Sequence, residues 1–279
     1  MKMDLDLFTV HHKEDRNLAV MRKHFTPIQV GCATSAIDLG VKRDDELGTI
    51  SHKNPNYCEL TAFDEIARSS KAEHIGIMHY RRIFTEPKPF RETLANFRYK
   101  SRVMKRRIGL TDRPVEKHFT LKLKSLSALD TEARKLNDFL GRNIAYTDIF
   151  TPVGVNYYNK TLREYYQSAH IVEHFDQFID CLIKVRPEIK QFISSQDQYP
   201  AAYYLGNMFI MRRHIFLEYW AILYDALSLL EKQIDLTDLN PYQARVFGFL
   251  AERFMGIFCR FYSSQRPIIW RELPTAFCD

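Results

Sequence analysis

The sequence predicts an α/β fold, and three observations predict it. Short apolar runs of strand length recur early in the chain, at Leu7 to Val10, Pro27 to Gly31 and Ile75 to Met78. Between the second and third lies Tyr57 to Ser69, with Leu60, Phe63, Ile66 and Ala67 at spacings of three and four, an amphipathic helix. Strand, strand, helix, strand is the order of a parallel-type sheet. The third observation is that two of these strands end in cations: Leu7–Val10 runs into His11, His12 and Lys13, and Ile75–Met78 runs into His79, Tyr80, Arg81 and Arg82. In open α/β sheets that edge is where ligands bind.

The remaining elements follow in order. Residues 41 to 56 read as a polar loop with Asp44, Asp45, Glu46 and Gly48, and Asn54-Pro55-Asn56 supplies a helix start with Asn56 as cap. Residues 85 to 143 read as a basic, partly helical insertion, with Leu126 to Leu140 as its clearest helix. Ile144 to Pro152 holds another strand, with Asp148 inside it, and Leu162 to Leu182 is helical. Tyr203 to Met211 reads as a strand ending in Arg212 and Arg213, followed by a helix from Phe216 to Leu230. Asn240-Pro241 forms a cap and first-turn pair opening a last helix from Tyr242 to about Phe261. With no repeat and no low-complexity linker, residues 1–279 are expected to form one domain.

Composition excludes several classes. The 279 residues are 46% hydrophobic, enough for a sizeable core, and no eighteen-residue apolar stretch suggests a membrane span. The start, Met-Lys-Met-Asp-Leu-Asp, carries acids where a signal peptide needs positive charge. The five cysteines, Cys32, Cys58, Cys181, Cys259 and Cys278, are spread without metal-type pairing, which fits reduced thiols in the cytoplasm. Zinc is not expected. No Gly-x-Gly-x-x-Gly, Walker-type or Gly-x-Ser-x-Gly element is present, which argues against dinucleotide enzymes, P-loop NTPases and α/β-hydrolases.

Charge is concentrated. Between Lys88 and Lys124, twelve Lys or Arg oppose three acids, a net +9; with +6 for the whole chain, the remainder sums to −3. Such a segment is either a solvated insertion or a docking patch for an anionic membrane surface, where each basic residue contributes about 1 kcal/mol. No nucleic-acid-binding signature accompanies it, and no nucleic acid partner is expected.

Where Arg81 and Arg82 are more than solvated strand-end residues, their fixed forks of donors suit phosphate. For a general base the residues offer Glu252, Asp197, His79 and Glu59. Arg245, Phe249 and Glu252 fall at i, i+4 and i+7 on one apolar helix face, so the two charges are either an internal ion pair or site residues. Glu59, in the first turn of its helix, is explained by the helix dipole alone and is discounted as a base. Asp197 rests on its place in a polar loop. His170 and His174, four apart, lack a third metal ligand and read as packing or surface residues.

Several segments together carry a resemblance. Gly48-Thr49-Ile50-Ser51-His52-Lys53-Asn54, Tyr57-Cys58-Glu59-Leu60-Thr61-Ala62 and Ile75-Gly76-Ile77-Met78-His79-Tyr80-Arg81-Arg82 are the first three blocks. Asn207-Met208-Phe209-Ile210 is the fourth, and Arg245 with Gly248-Phe249-Leu250-Ala251-Glu252-Arg253 the fifth. Together, over Val10 to about Phe258, they resemble the DUF4422 family of bacterial capsule and O-antigen gene clusters. The resemblance implies a GT-A-like (Rossmann-like) mixed sheet flanked by helices, with a helical C-terminal part. It implies an inverting glycosyltransferase that takes a sugar, galactofuranose in some members, from a UDP-sugar to a polysaccharide or lipid-linked glycan acceptor. The alternative is a non-catalytic nucleotide-sugar or glycan-binding scaffold of the same pathway. Donor-binding residues implied are His12, Lys13, Ser51, Asn54, Glu59, Thr61, His79, Tyr80, Arg81, Arg82, Asn207, Arg245 and Arg253. GT-A folds usually hold a divalent metal at an Asp-x-Asp motif after a central strand; here His-Tyr-Arg stands in that place. No metal cofactor is therefore expected, with fixed protein cations in its stead. Magnesium or manganese held by Asp44, Asp45, Glu46 or Asp148 is the alternative. A cytoplasmic protein, peripheral on the inner membrane face through residues 88–124, completes the expectation.

Overall fold

The computed structural model describes residues 4–47, 50–110, 120–156, 160–194 and 202–278. Along the chain these form β1 (Leu5–His11), α1 (Leu18–His24), β2 (Thr26–Gln29), β3 (Lys42–Arg43), α2 (Asn54–Tyr57), α3 (Leu60–Ser69), β4 (His74–His79) and β5 (Arg82–Phe84). Then come α4 (Pro89–Arg107), β6 (Thr120–Leu123), α5 (Leu126–Asn143), β7 (Ile149–Pro152), β8 (Val155–Asn156), α6 (Leu162–Gln167), α7 (Val172–Val185) and α8 (Lys190–Ser194). The last elements are β9 (Ala202–Tyr203), β10 (Phe209–Arg212), α9 (Arg213–Glu231), α10 (Val246–Gln265), β11 (Trp270–Leu273) and β12 (Thr275–Cys278).

The central sheet runs β3-β2-β1-β4-β10-β7-β11. Strands β3, β2, β1 and β4 are parallel, whereas β10 runs antiparallel to both β4 and β7. The sheet is thus mixed, and β12 extends it by pairing with β5 and β6. Chain order reverses beside β1: β2 and β3 lie on one side of it and β4 on the other. That is the topological switch point of an open α/β sheet, where the strands' carboxyl ends leave a crevice.

Both faces are covered because successive side chains on a strand alternate. Phe8, Val10, Ile75, Ile77, Phe209 and Met211 enter one core with Phe63 of α3, Phe178 of α7, Phe216 of α9 and Phe254 of α10. Leu7, Met78 and Ile210 enter the other, with Met21 of α1 and Leu129, Leu136 and Leu140 of α5. Each such side chain contributes about 1.5–3 kcal/mol by leaving water. At Gly76 a Cβ would stand 2.3 Å from Leu7 Cδ1, so only glycine lets Leu7 of β1 and Ile210 of β10 approach across β4.

Three expectations change in detail. The helix drawn from Tyr57 breaks at Cys58, whose φ of 53° ends α2 and lets α3 start afresh at Leu60. Asn56 is not its cap; its amide donates to the Ala244 carbonyl. Within 85–143, α5 is a core layer on the sheet's second face and β6 pairs into the sheet. The helix over 162–182 divides into α6 and α7, α6 opening with a capping box between Thr161 and Glu164. No described helix is long and apolar enough to cross a membrane.

Candidate active site

At the switch point the register pairs Val10 with His79, so β1 and β4 end side by side. Beyond them opens a cavity of about 530 Å³. Val10, His12, His79, Tyr80 and Arg81 wall it from these strand ends, Val30 from β2's exit, Asn54, Pro55, Cys58 and Glu59 from the α2–α3 break, and Arg245 from the turn before α10.

The break at Cys58 sets this wall. Asn54 Nδ2 donates to the Cys58 carbonyl at 2.7 Å, fastening the kink. Because α3 starts at Leu60, Glu59 is its N-cap residue, but its carboxylate makes no capping bond. It turns instead to Asn207, whose Nδ2 donates to Glu59 Oε1 at 2.6 Å and to the Gly248 carbonyl at 3.0 Å. His79 Nε2 lies 3.9 Å from the same Glu59 oxygen. Among the described residues on the cavity wall, Glu59 is the one carboxylate.

His79 also hydrogen-bonds the Gly206 carbonyl. Gly206 and Asn207 both have positive φ, 75° and 49°, forming the turn that leads into β10. Glu252 holds this turn from behind. Its Oε1 accepts the Gly206 N–H at 2.8 Å, and its Oε2 accepts Tyr203 Oη at 3.1 Å and Arg253 at 2.9 Å. Burial pushes the Glu252 carboxyl above the usual carboxylate range, with Arg253 opposing. Glu252, expected as a base, is not on the cavity wall. It positions the backbone that orients His79.

The positive charge is placed by three elements. Arg81 is exposed and lies over the rings of Tyr80, at 5.0 Å, and Phe277, at 5.4 Å. Arg245 lies over Phe249 at 5.4 Å and donates through Nε to Cys58 Sγ at 3.3 Å. Burial pushes that thiol up to about 12, so it stays protonated. Burial also lowers the His12 imidazole below its ordinary value, and the charges of Lys13, Arg245, Arg81 and His79 press it the same way. The permanent positive charge on the wall therefore rests on the two guanidiniums, the side chains best shaped for phosphate oxygens.

Other expected site residues lie elsewhere. Ser51 is buried, donating to Asp44 at 2.6 Å, and Thr61 is buried, donating to the Cys58 carbonyl at 3.2 Å; each supports the loop behind the wall. Lys13 is exposed and off the wall. Arg82 is not on the cavity wall; its guanidinium lies over Phe277, as that of Arg81 does, and beside Gly206. Arg253, expected to bind donor, is 3% exposed and enclosed by the rings of Tyr165, Tyr166 and Tyr203, so it cannot reach a ligand in the cavity. Arg245 and Glu252 do not pair with each other: one faces the cavity, the other takes Arg253. Asp197 lies outside the described residues.

A divalent ion needs several oxygen ligands. The acidic loop does not reach the cavity wall. Asp44 accepts from the N–H groups of Gly31 and Cys32 and from Ser51, Asp45 pairs with Arg43, and Glu46 pairs with Lys42. Cys32, Asp44 and Asp45 are close enough to share an ion, but burial pushes the Cys32 thiol up to about 11. Asp148 is bound by Arg212 and the Ile269 N–H. Among the described residues, the donor sets do not fit a hard cation at this cavity.

His170 behaves as packing, stacked on Tyr242 and tilted against Phe249. Burial lowers it from 6.5 to about 4, with Arg253 adding to the effect. A histidine with depressed folded pKa binds more protons unfolded, so its contribution to stability is present above pH 6.5 and lost as pH falls toward 4. Denaturant midpoints should drop between pH 7 and pH 5, and His170→Phe should flatten that slope; an unchanged slope would remove this assignment.

The profile of a domain of unknown function, DUF4422, matches residues 6–263. Among solved structures, the chain resembles the apo structure of WbbM, a bifunctional glycosyltransferase, with a TM-score of 0.76 and 23% identity. The match covers 99% of this chain and 45% of WbbM, so the chain spans less than half of that protein. A search of curated proteins returns no match. The likeness shows the expected GT-A-like α/β fold.

Proposed function

The chain belongs to the DUF4422 family, and from that premise we propose that it is an inverting glycosyltransferase whose donor is a nucleoside-diphosphate sugar. The observation that carries this reading is the switch-point cavity with Arg81 and Arg245 on its wall and Glu59 as its carboxylate. Glu59, steadied by Asn207, takes the proton of the acceptor hydroxyl. The freed oxygen attacks the anomeric carbon as the bond to the diphosphate oxygen breaks. Arg81 and Arg245 meet the negative charge that the diphosphate gains, a preorganised stabilisation that is commonly the largest catalytic contribution. His79, held by Gly206, orients the groups at the reacting centre.

The family resemblance supports UDP-galactofuranose as donor and a polysaccharide or lipid-linked glycan of capsule or O-antigen synthesis as acceptor. WbbM, described as a bifunctional glycosyltransferase, supports sugar transfer in the same general class. Tyr242, half exposed beside Arg245, offers a flat ring to an acceptor sugar.

Because two guanidiniums stand where a metal would neutralise the diphosphate, transfer should persist in excess EDTA. UDP release measured with chelator, and after adding back magnesium or manganese, tests this. Complete loss in EDTA with recovery in manganese would move charge neutralisation from the arginines to a metal.

A further inference from the structure

Among the described residues, four strongly solvent-facing apolar side chains fall on one short piece of the chain. Phe97 is 70% exposed, Met104 60%, Ile108 61% and Leu110 70%. Phe97, Met104 and Ile108, the last of them the residue that caps α4's C-terminal end, stand at i, i+7 and i+11, within about 20° of one line at 3.6 residues per turn. Arg98 and Lys105 flank that line on one side and Lys100 on the other, all three exposed. Tyr99, Val103 and Arg106, on the opposite side, are half-buried. The helix thus turns its polar-aromatic side to the protein and its apolar line, edged with cations, to solvent. From Pro89 to Arg107 it carries seven Lys or Arg and one acid.

We propose that α4 is an interfacial helix that seats the protein on an anionic bilayer, with Phe97, Met104 and Ile108 entering the acyl boundary and Arg98, Lys100 and Lys105 meeting lipid phosphates. Two features select this occupant. Charge complementarity requires an anionic partner, and an exposed apolar line between rows of basic residues matches the layering of headgroup over acyl chain. A nucleic acid would match the charge but leave the apolar line in water. A second copy of the chain would set like charges against each other. The inference is independent of the cavity chemistry.

The test is co-sedimentation of the full chain with vesicles of phosphatidylcholine alone or mixed with phosphatidylglycerol. Wild type should bind the anionic vesicles and not the neutral ones, and should keep part of its binding at 0.5 M salt. The variant Arg98→Glu/Lys100→Glu/Lys105→Glu should bind the anionic vesicles at least roughly 100-fold more weakly, about fivefold for each basic residue lost, before the repulsion of the added carboxylates. The variant Phe97→Ser/Met104→Ser/Ile108→Ser should retain weak binding that high salt abolishes. Arg106 is left intact because it faces inward. Circular dichroism confirms that both variants fold, which exposed substitutions permit. Equal binding to neutral vesicles, undiminished binding by the serine variant, or no vesicle binding alongside tight binding to duplex DNA would each overturn the proposal. A wild-type dimer that the serine variant dissolves, with no vesicle binding by either, would overturn it in favour of a self-interface. None of these readings uses turnover, so they stand apart from the fate of the transferase assignment.

Discussion

Replacing Arg81 by alanine is expected to lower sugar transfer on the order of 10²–10³-fold, the usual cost of losing one preorganised donor to developing charge. The fold should survive. Arg81 is exposed, and its described contacts are the rings of Tyr80 and Phe277, so stability should change by no more than about 0.5 kcal/mol. The loss should appear in kcat as well as in donor affinity, because charge on the diphosphate grows as the sugar departs. Arg81→Lys should recover only part of the activity, since an ammonium lacks the planar fork. Near-normal turnover of Arg81→Ala, with the variant folded by circular dichroism, would remove the arginine from the chemistry.

The second large effect is expected at Glu59. Glu59→Gln keeps the side chain's size but removes the proton acceptor, and kcat should fall roughly 10²–10⁴-fold. UDP binding should be nearly unchanged, since the phosphate-facing cations remain. Glu252→Gln should behave differently. Its oxygens hold Gly206 and Tyr203, and glutamine's amide oxygen can keep one of those bonds. Its damage should therefore show in thermal stability and KM together, with a smaller fall in kcat. Equal kcat losses in the two variants would mean the base lies elsewhere.

Much of this arrangement was legible along the chain. β1 and β4 announce themselves as short apolar runs, and the cations after Val10 and Met78 mark the sheet edge before any pairing is known. The spacings of three and four among Leu60, Phe63, Ile66 and Ala67 give α3, whereas Asn240, expected to open the last helix at Tyr242, caps a short turn by accepting from the N–H groups of Tyr242 and Gln243, and α10 starts only at Val246. What stayed hidden depends on distant partners. The discount placed on Glu59 followed from a helix drawn without the break at Cys58, a non-glycine residue at positive φ that periodicity does not signal. Asn207 lies 148 positions from Glu59, and no local pattern joins them. Glu252 and Arg253 share a motif, yet the tyrosines around Arg253 come from α6 and β9, so the burial that takes it out of the cavity is visible only once the chain is folded. Gly206 was the missed residue with a readable signal. A glycine directly before Asn207 and an apolar strand marks a turn, and its carbonyl is what orients His79.

Isothermal titration of UDP into the full chain in excess EDTA tests the central claim most directly, because it asks whether protein cations alone hold the diphosphate. Saturable binding in chelator is predicted, weakened at least about tenfold in Arg81→Ala and in Arg245→Ala, consistent with the loss of a charge-assisted hydrogen bond worth about 1.5–3 kcal/mol. Adding manganese should leave the wild-type affinity unchanged. Absence of any heat of binding by the folded protein, or binding that appears only with manganese and is indifferent to both substitutions, would contradict the account.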